Sequence, residues 1–318
     1  MIEKNVKVSI SLVTFNHEKY IVQAIESILM QVVNFDYEII IGEDYSSDKT
    51  REIVREYYHK YPEKISLILP EDNLGCYGQK IFVQTLKACQ GEYIALLDGD
   101  DYWTSTNKLQ AQVDFLDSHP DCAICFHDVV KVIENGSLES VKYNEFQPQE
   151  ISTIKNLLKS NFIPTCSTLY RNRLFTDFPD GYYDLICGDW ILHVFNAQHG
   201  KIGYINQSMG AYRVHEHGLF SSMKNIRKLQ EVIKCYPYLN NYLNYRYNNL
   251  IESEIFYRYY QIALAYQKEG DFVNAKANYF KCLNRLLQPF IAIPSLLKLS
   301  RRIIINTANT YKLRPNKV

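Results

Sequence analysis

Charge of one sign is what this chain lacks first. Its 35 Lys and Arg balance 35 Asp and Glu, leaving a formal net charge of zero at pH 7. With no global field to hold a polyanion, nucleic acid is not expected as a partner. An apolar N-terminal core is missing too: Met1-Ile2-Glu3-Lys4-Asn5 runs straight into a strand-like segment. A signal peptide is therefore not expected, and a cytoplasmic location is. Near the other end, the apolar segment 293–305 is broken by Lys298, Arg301 and Arg302 too soon for a membrane span. It reads as an amphipathic helix docked on the protein, or as a contact in a homo-oligomer. The competing reading lays it on an anionic membrane, as a peripheral contact at the inner face of the cell membrane. The 8 cysteines are scattered, which fits reduced thiols. The CxxC of Cys122 and Cys125 lies in an apolar run, where residues three apart face opposite sides of a strand. No second pair stands at ligand spacing, so zinc is not expected.

What is present is a globular composition, 47% hydrophobic and 22% charged, over 318 residues, enough for one large domain or two smaller ones. The 26 tyrosines offer flat apolar area with a polar tip. That suits sugar or base contacts, although most are expected to be half-buried packing. Val8–Val13, Glu38–Gly42 and Ile65–Leu69 read as strands, the last closed by Pro70. Between them, Tyr20, Ile21, Ala24, Ile25, Ile28 and Leu29 recur at helical spacing, as do Ile53, Val54, Tyr57 and Tyr58 behind a cap at Ser47 or Asp48. A third helix around Ile81–Ala88 ends near Gly91, and a fourth strand follows. This alternation predicts an α/β fold, a mainly parallel sheet flanked by helices. Ligands of such sheets sit beyond the carboxyl ends of the strands.

At those ends lie Thr14-Phe15-Asn16, Glu43-Asp44 and the most informative run of the chain, Tyr93-Ile94-Ala95-Leu96-Leu97-Asp98-Gly99-Asp100-Asp101-Tyr102-Trp103. Clustered carboxylates repel and are costly to bury, so three around one glycine at a strand exit point to a hard divalent cation. Asp98 and Asp100, two residues apart, point the same way in an extended segment, and Asp101 faces elsewhere unless the chain turns. The plainer alternative is a polar loop with an acidic helix cap. From Lys131 to Glu150 the pattern weakens, and Asn135-Gly136 suggests a hairpin or loop. Residues 151–222 mix short helices and strands. From about Met223 onward the chain reads as all-helical. Ala265-Tyr266, Gly270-Asp271-Phe272, Ala275 and Tyr279 resemble one tetratricopeptide unit, read as a helical hairpin packed on the main domain. The expected division is 1–222 and 223–318.

Four blocks together resemble the family 2 glycosyltransferases of the GT-A fold. They are Ser11–Ile21, Ile41–Thr50, the Asn73-Leu74-Gly75 turn and Gly91–Asp101. The resemblance spans roughly residues 6–222, and it implies a Rossmann-like core with an all-helical C-terminal extension of no assigned role. It also implies inverting transfer of a sugar from a nucleotide donor, most often a UDP-sugar, to an acceptor hydroxyl. The family's roles imply bacterial polysaccharide, lipopolysaccharide or glycoconjugate synthesis, with a glycan or lipid-linked acceptor. Thr14, Phe15, Asn16, Glu43 and Asp44 correspond to its base and ribose pocket. Where the family usually carries Asp-Asp this chain has Glu43-Asp44, and either could read the base. Asp98 and Asp100, around Gly99, match the DxD motif that holds Mn2+ or Mg2+ against the diphosphate. His215, in Tyr212-Arg213-Val214-His215, matches a third ligand, with His217 as competitor and Arg213 near the phosphates. Lys80 is either a phosphate contact or a solvated helix lysine.

The general base is expected at Asp189 in Cys187-Gly188-Asp189-Trp190, with Asp184 as fallback. Asp189 could also serve as a helix cap, and Trp190 either flanks the sugar or belongs to the core. Pro164–Arg171 resembles the family's acceptor side. Two other classes compete. A nucleotidyltransferase would need a Gly-rich basic loop after the first strand, and Thr14-Phe15-Asn16-His17-Glu18 contains neither Gly nor Arg. A non-catalytic nucleotide-sugar-binding or scaffold protein would have no need for Asp98, Asp100 and Asp189 together.

Overall fold

The computed structural model describes residues 6–133 and 141–286. Two compact units divide the chain, Met1–Ser222 and Met223–Val318. In the first, strands β1 (Val8–Thr14), β2 (Tyr37–Glu43), β3 (Ile65–Ile68) and β4 (Tyr93–Asp98) alternate with helices α1 (Ile21–Leu29), α2 (Thr50–Lys60) and α3 (Gln79–Ala88). All four strands run parallel, in the order β3-β2-β1-β4. Their β-branched runs are buried on both faces, as helices on the two sides of a parallel sheet require. Helix α1 shows the principle: Ile21, Ala24, Ile25 and Ile28 fall on one stripe and are fully buried. Each such isoleucine contributes roughly 1.5–3 kcal/mol of burial.

Beyond β4 the sheet becomes mixed. A two-residue strand β5 (Tyr102–Trp103) and helix α4 (Lys108–Ser118) lead into the long β6 (Cys122–Ile133). Short strands β7 (Val141–Lys142) and β8 (Ile151–Ser152), helix α5 (Ile154–Lys159), strand β9 (Leu169–Arg171), helix α6 (Gly188–Ala197) and strand β10 (Lys201–Val214) complete the unit. β9 lies antiparallel between β4 and β6, while β10 runs parallel to β6. The mainly parallel α/β expectation therefore holds, with one reversed strand at its centre that no local pattern announces. β7 pairs antiparallel with β6, as a hairpin demands, but Asn135-Gly136 lies outside the described residues.

Two expectations need correction. Cys122 and Cys125 do not face opposite sides: the β6–β10 register shifts just after Cys122, and both cysteines join the same apolar cluster as β1 and α1. Neither Ser47 nor Asp48 is the residue flanking α2, which is Lys49; Asp48 still accepts the Thr50 N–H at 2.9 Å.

The second unit is helical through its described residues: α7 (Asn225–Tyr242), α8 (Asn248–Lys268) and α9 (Phe272–Leu286). α8 and α9 form the expected hairpin, with Phe256, Tyr260 and Ala263 against Ala275, Tyr279 and Cys282. Gly270, at φ 80°, makes the turn. The apolar segment 293–305 lies outside the described residues. No helix among the described residues is long and apolar enough to cross a membrane.

One core residue works against stability. Lys108, the first residue of α4, is wholly buried, with its Nζ 3.9 Å from the centre of the Trp103 ring and no hydrogen-bond partner. Burial pushes its amine down to about 7 from an ordinary 10.5. Between those values the unfolded chain binds the extra proton, so stability rises with pH. Lys108→Met should remove that rise, which is on the order of 4 kcal/mol across the window. Urea midpoints of both proteins at about pH 7 and about pH 10 measure it; parallel pH dependences would contradict it.

Candidate active site

Register brings the first residues together. β1 pairs Thr14 with Glu43 on one side and Val13 with Asp98 on the other. The ends of β1, β2 and β4 therefore open onto one edge. The loops after β1 and β2 are laced to each other. Ser47 N–H donates to Asn16 Oδ1 at 2.8 Å, Asn16 N–H to Ser46 Oγ at 2.8 Å, and His17 N–H to Thr50 Oγ1 at 2.8 Å. Asn16 and Tyr45 adopt φ of 54° and 61°, a conformation unfavourable to residues with a Cβ and tolerated best by Asn. Phe15 and Tyr45 remain exposed at this rim.

Glu43 and Asp44 are both buried but differently engaged. Glu43 Oε2 is ion-paired with Arg51, and Oε1 accepts the Ser46 N–H. Arg51 also donates to Pro70 O at 2.9 Å and lies 4.9 Å from the Tyr45 ring centre. Both Glu43 oxygens are thus committed to the loop. Asp44 Oδ1 accepts the Leu74 N–H at 2.9 Å, and its backbone oxygen accepts from Asn73 at 2.7 Å. Burial raises the Asp44 carboxyl, with the Glu43 charge adding to it, while Arg51 and Lys80 pull the other way. Lys80 itself is exposed on the first turn of α3.

The acidic run leaves β4 through a turn at Gly99 and Asp100, with the Asp101 N–H donating to Asp98 O at 3.0 Å, so the extended segment expected from the spacing does not form. Asp101 is buried, and its Oδ1 accepts the Arg213 N–H at 2.8 Å. Burial and the charges of Asp100 and Asp98 push its carboxyl well above the usual range. Asp98 is pushed up to about 8 by burial and by the charges of Asp100 and Asp189. Burial works the same way on Asp100, but a hydrogen bond from His215 and the charges of His17 and His215 outweigh it and hold that carboxyl low. His215 Nε2 is 3.0 Å from Asp100 Oδ2, and His17 Nε2 is 3.8 Å from the same oxygen. His17 Nδ1 lies 3.2 Å from Thr14 Oγ1. Gly99 is the only residue type that fits here: a Cβ would stand 2.5 Å from Thr14 Oγ1 and 2.9 Å from His17 Nδ1. Arg213 packs over Tyr20 and Tyr102 and donates to Gln23. His217 is exposed and pairs with Glu216, away from Asp100.

Asp189 sits in the first turn of α6, behind Cys187 as the flanking residue, so it is not the helix cap. Gly188 is required because a Cβ would overlap the buried Gln79 side chain at 2.0 Å. Trp190 belongs to the core: it is 2% exposed and donates to Leu157 O at 3.0 Å, which rules out a sugar platform. Burial raises the Asp189 carboxyl, against hydrogen bonds from the Trp190 N–H, Thr165 and Asn161. Asp184 is exposed in the turn before α6. Among the described residues no three His, Cys, Asp or Glu side chains form a ready-made cation cage. The donors of Asp98, Asp100 and His215 are nevertheless the oxygen-rich kind that suits Mn2+ or Mg2+. Phosphate oxygens of a substrate ordinarily complete such a sphere. His17, Asn161 and Thr165 carry no sequence signal of their own; only the fold brings them to the aspartates.

Known proteins share both sequence and fold with this chain. Residues 9–178 match the family described as Glycosyl transferase family 2. An uncharacterized protein of Mycobacterium tuberculosis is 38% identical over 224 residues, 69% of this chain and 62% of its own length. The chain thus spans less than two thirds of that relative. The poly(ribitol-phosphate) β-N-acetylglucosaminyltransferase TarS of Staphylococcus aureus is 30% identical over 174 residues, 54% of this chain and 28% of its own. The crystal structure of S. aureus TarS 1-349 in complex with UDP-GlcNAc superposes with a TM-score of 0.62 at 19% identity, covering 96% of this chain and 89% of that one. A mannosyltransferase from Pyrobaculum calidifontis in complex with GDP-Man and Mn2+ gives 0.53 at 14% identity, covering 96% and 87%. At such identities the likeness of the two structures is one of fold.

The Glu43–Arg51 pair is the structural keystone of the rim. Arg51→Met leaves a fully buried carboxylate unpaired and should destabilise the protein by roughly 3–5 kcal/mol. Adding Glu43→Gln should recover part of that loss. Chemical denaturation of the single and double variants reads both values.

Proposed function

Because the chain belongs to glycosyl transferase family 2, we propose that it moves a sugar, with inversion, from a nucleoside-diphosphate donor to an acceptor hydroxyl. A UDP-sugar is the first choice of donor. The observation that carries this reading is the convergence of Asp98, Asp100 and Asp189 beside Asp44 at one sheet edge, with His215 against Asp100. A carboxylate can accept the imide N–H of uracil, a donor that cytosine lacks. Asp44 takes that role, since Glu43 is occupied by Arg51 and Ser46. Thr14, Phe15 and Asn16 line the base and ribose end. Gly99, having no Cβ, lets the chain turn against Thr14 and His17 beside the aspartates assigned to the diphosphate; Arg213 and Lys80 are the cations assigned to aid phosphate binding.

Asp98, Asp100 and His215 would hold the Mn2+ or Mg2+, which when bound supplies positive charge against the departing diphosphate. Asp189 receives the proton of the acceptor hydroxyl as that oxygen attacks the anomeric carbon. Burial raises the Asp189 carboxyl and so strengthens it as a base, while the hydrogen bonds it accepts favour the ionised form that a base must have. The acceptor is proposed to be a glycan or lipid-linked glycan of a bacterial surface polymer, handled on the cytoplasmic side. Support for a polymeric acceptor comes from the TarS relative, whose name gives poly(ribitol-phosphate) as what it acts on.

The test is UDP release from a panel of UDP-sugars, with Mn2+ and then with EDTA. Slow release from one donor, lost with EDTA and lowered on the order of 100-fold or more by Asp189→Asn, is the expected outcome. Asp44→Asn should weaken UDP binding in calorimetry while leaving stability nearly unchanged. Binding without release from any donor would identify a non-catalytic binder; absence of both would sink the UDP assignment.

A further inference from the structure

Asp189 Oδ2 receives two side-chain hydrogen bonds from one short segment. Asn161 Nδ2 and Thr165 Oγ1 both donate to it at 3.2 Å. The donors are themselves held. Asn161 Oδ1 accepts the Ile163 N–H at 3.2 Å, and Thr165 opens a 3-10 turn behind Pro164. That turn is fastened to the sheet: Thr168 O accepts the Leu96 N–H of β4 at 3.3 Å, two residues before Asp98. The start of α6 is fixed independently, by Trp190 on Leu157 O and by Gly188 against Gln79. The aspartate thus lies between two anchored elements, and both side-chain donors address the same oxygen.

We infer that Asn161 and Thr165 are positioning residues that hold Asp189 Oδ2 and so aim its other oxygen, Oδ1, at the acceptor hydroxyl. The inference rests on the reading of Asp189 as the general base. A freely rotating carboxylate presents either oxygen in many orientations; one with Oδ2 doubly bonded to fixed donors has a single approach left. Near-attack geometry of this kind contributes to turnover without adding to donor affinity. Neither residue is placed at the nucleotide, so removing them should leave nucleotide binding alone.

Thr165→Val, Asn161→Ala, their combination and the conservative Thr165→Ser test this in the full chain. The measurements are turnover by UDP release, the Kd of UDP by calorimetry, and the melting temperature. Turnover should fall about 10-fold in each single variant and further in the double. The Kd of UDP and the melting temperature should stay at wild-type values, and Thr165→Ser should recover most of the activity. Unchanged turnover in the double variant overturns the inference. So does a loss of turnover that tracks weakened UDP binding or a lower melting temperature, since that is merely structural. Asp189→Asn, assayed alongside, separates the two levels: wild-type turnover in that variant removes the base assignment itself.

Discussion

Four carboxylates, Asp98, Asp100, Asp101 and Asp189, gather in a cleft where burial disfavours the ionised form of each. The surrounding structure is an answer to that electrostatic cost, and it answers four different ways. Asp101 stays raised and is used as a backbone acceptor, holding Arg213 in place. Asp100 is held low by His215 and His17. Asp189 is supported by neutral donors. Asp98 is left raised, its repulsion from Asp100 and Asp189 unrelieved. Of the four, Asp100 alone meets basic side chains among the described residues, those of His215 and His17.

Much of this was legible in the chain, for local reasons. The first four strands and three helices announce themselves because each is periodic within its own segment. The Asp-Gly-Asp-Asp run is legible because carboxylates at a strand exit have few structural uses. Its division of labour did not follow from the period of two, because the run turns at Gly99 and Asp100 instead of staying extended. The Glu43–Asp44 ambiguity could not be settled in the same way. The residue that engages Glu43, Arg51, belongs to the next helix and meets it only after α2 packs. His17 was hidden for a related reason, since it reaches Asp100 from a loop 83 positions earlier in the chain, a link only the β1–β4 pairing makes. Trp190 shows the opposite failure. An aromatic beside a candidate base looks like a sugar platform, but its ring is turned into the core and its N–H is taken up by Leu157.

The strands from β5 to β10 were less legible because their partners are distant or very short. β9 has three residues and pairs with strands on both sides, so its identity comes from its neighbours rather than its own pattern. The β6–β10 register shifts are likewise invisible to any reading of one strand alone, and they moved Cys122 from its expected face. In the second unit the opposite holds. Residues 256, 260 and 263 on α8 and 275, 279 and 282 on α9 follow helical spacing, and the hairpin was legible from that and from Gly270.

The reversed strand β9 also orders events during synthesis. β3, β2, β1 and β4 pair only with one another until β9 arrives, so a half-sheet can assemble while the rest of the chain is still being made. That half-sheet already displays Asp98 and Asp100. The histidine that steadies Asp100 is added 115 residues later, at the end of the last strand. Closure of this long loop is the slow, entropically costly part of folding. A nascent chain therefore carries Asp100 with His17 but without His215 while 115 further residues are added, and the set is complete only when the final strand pairs.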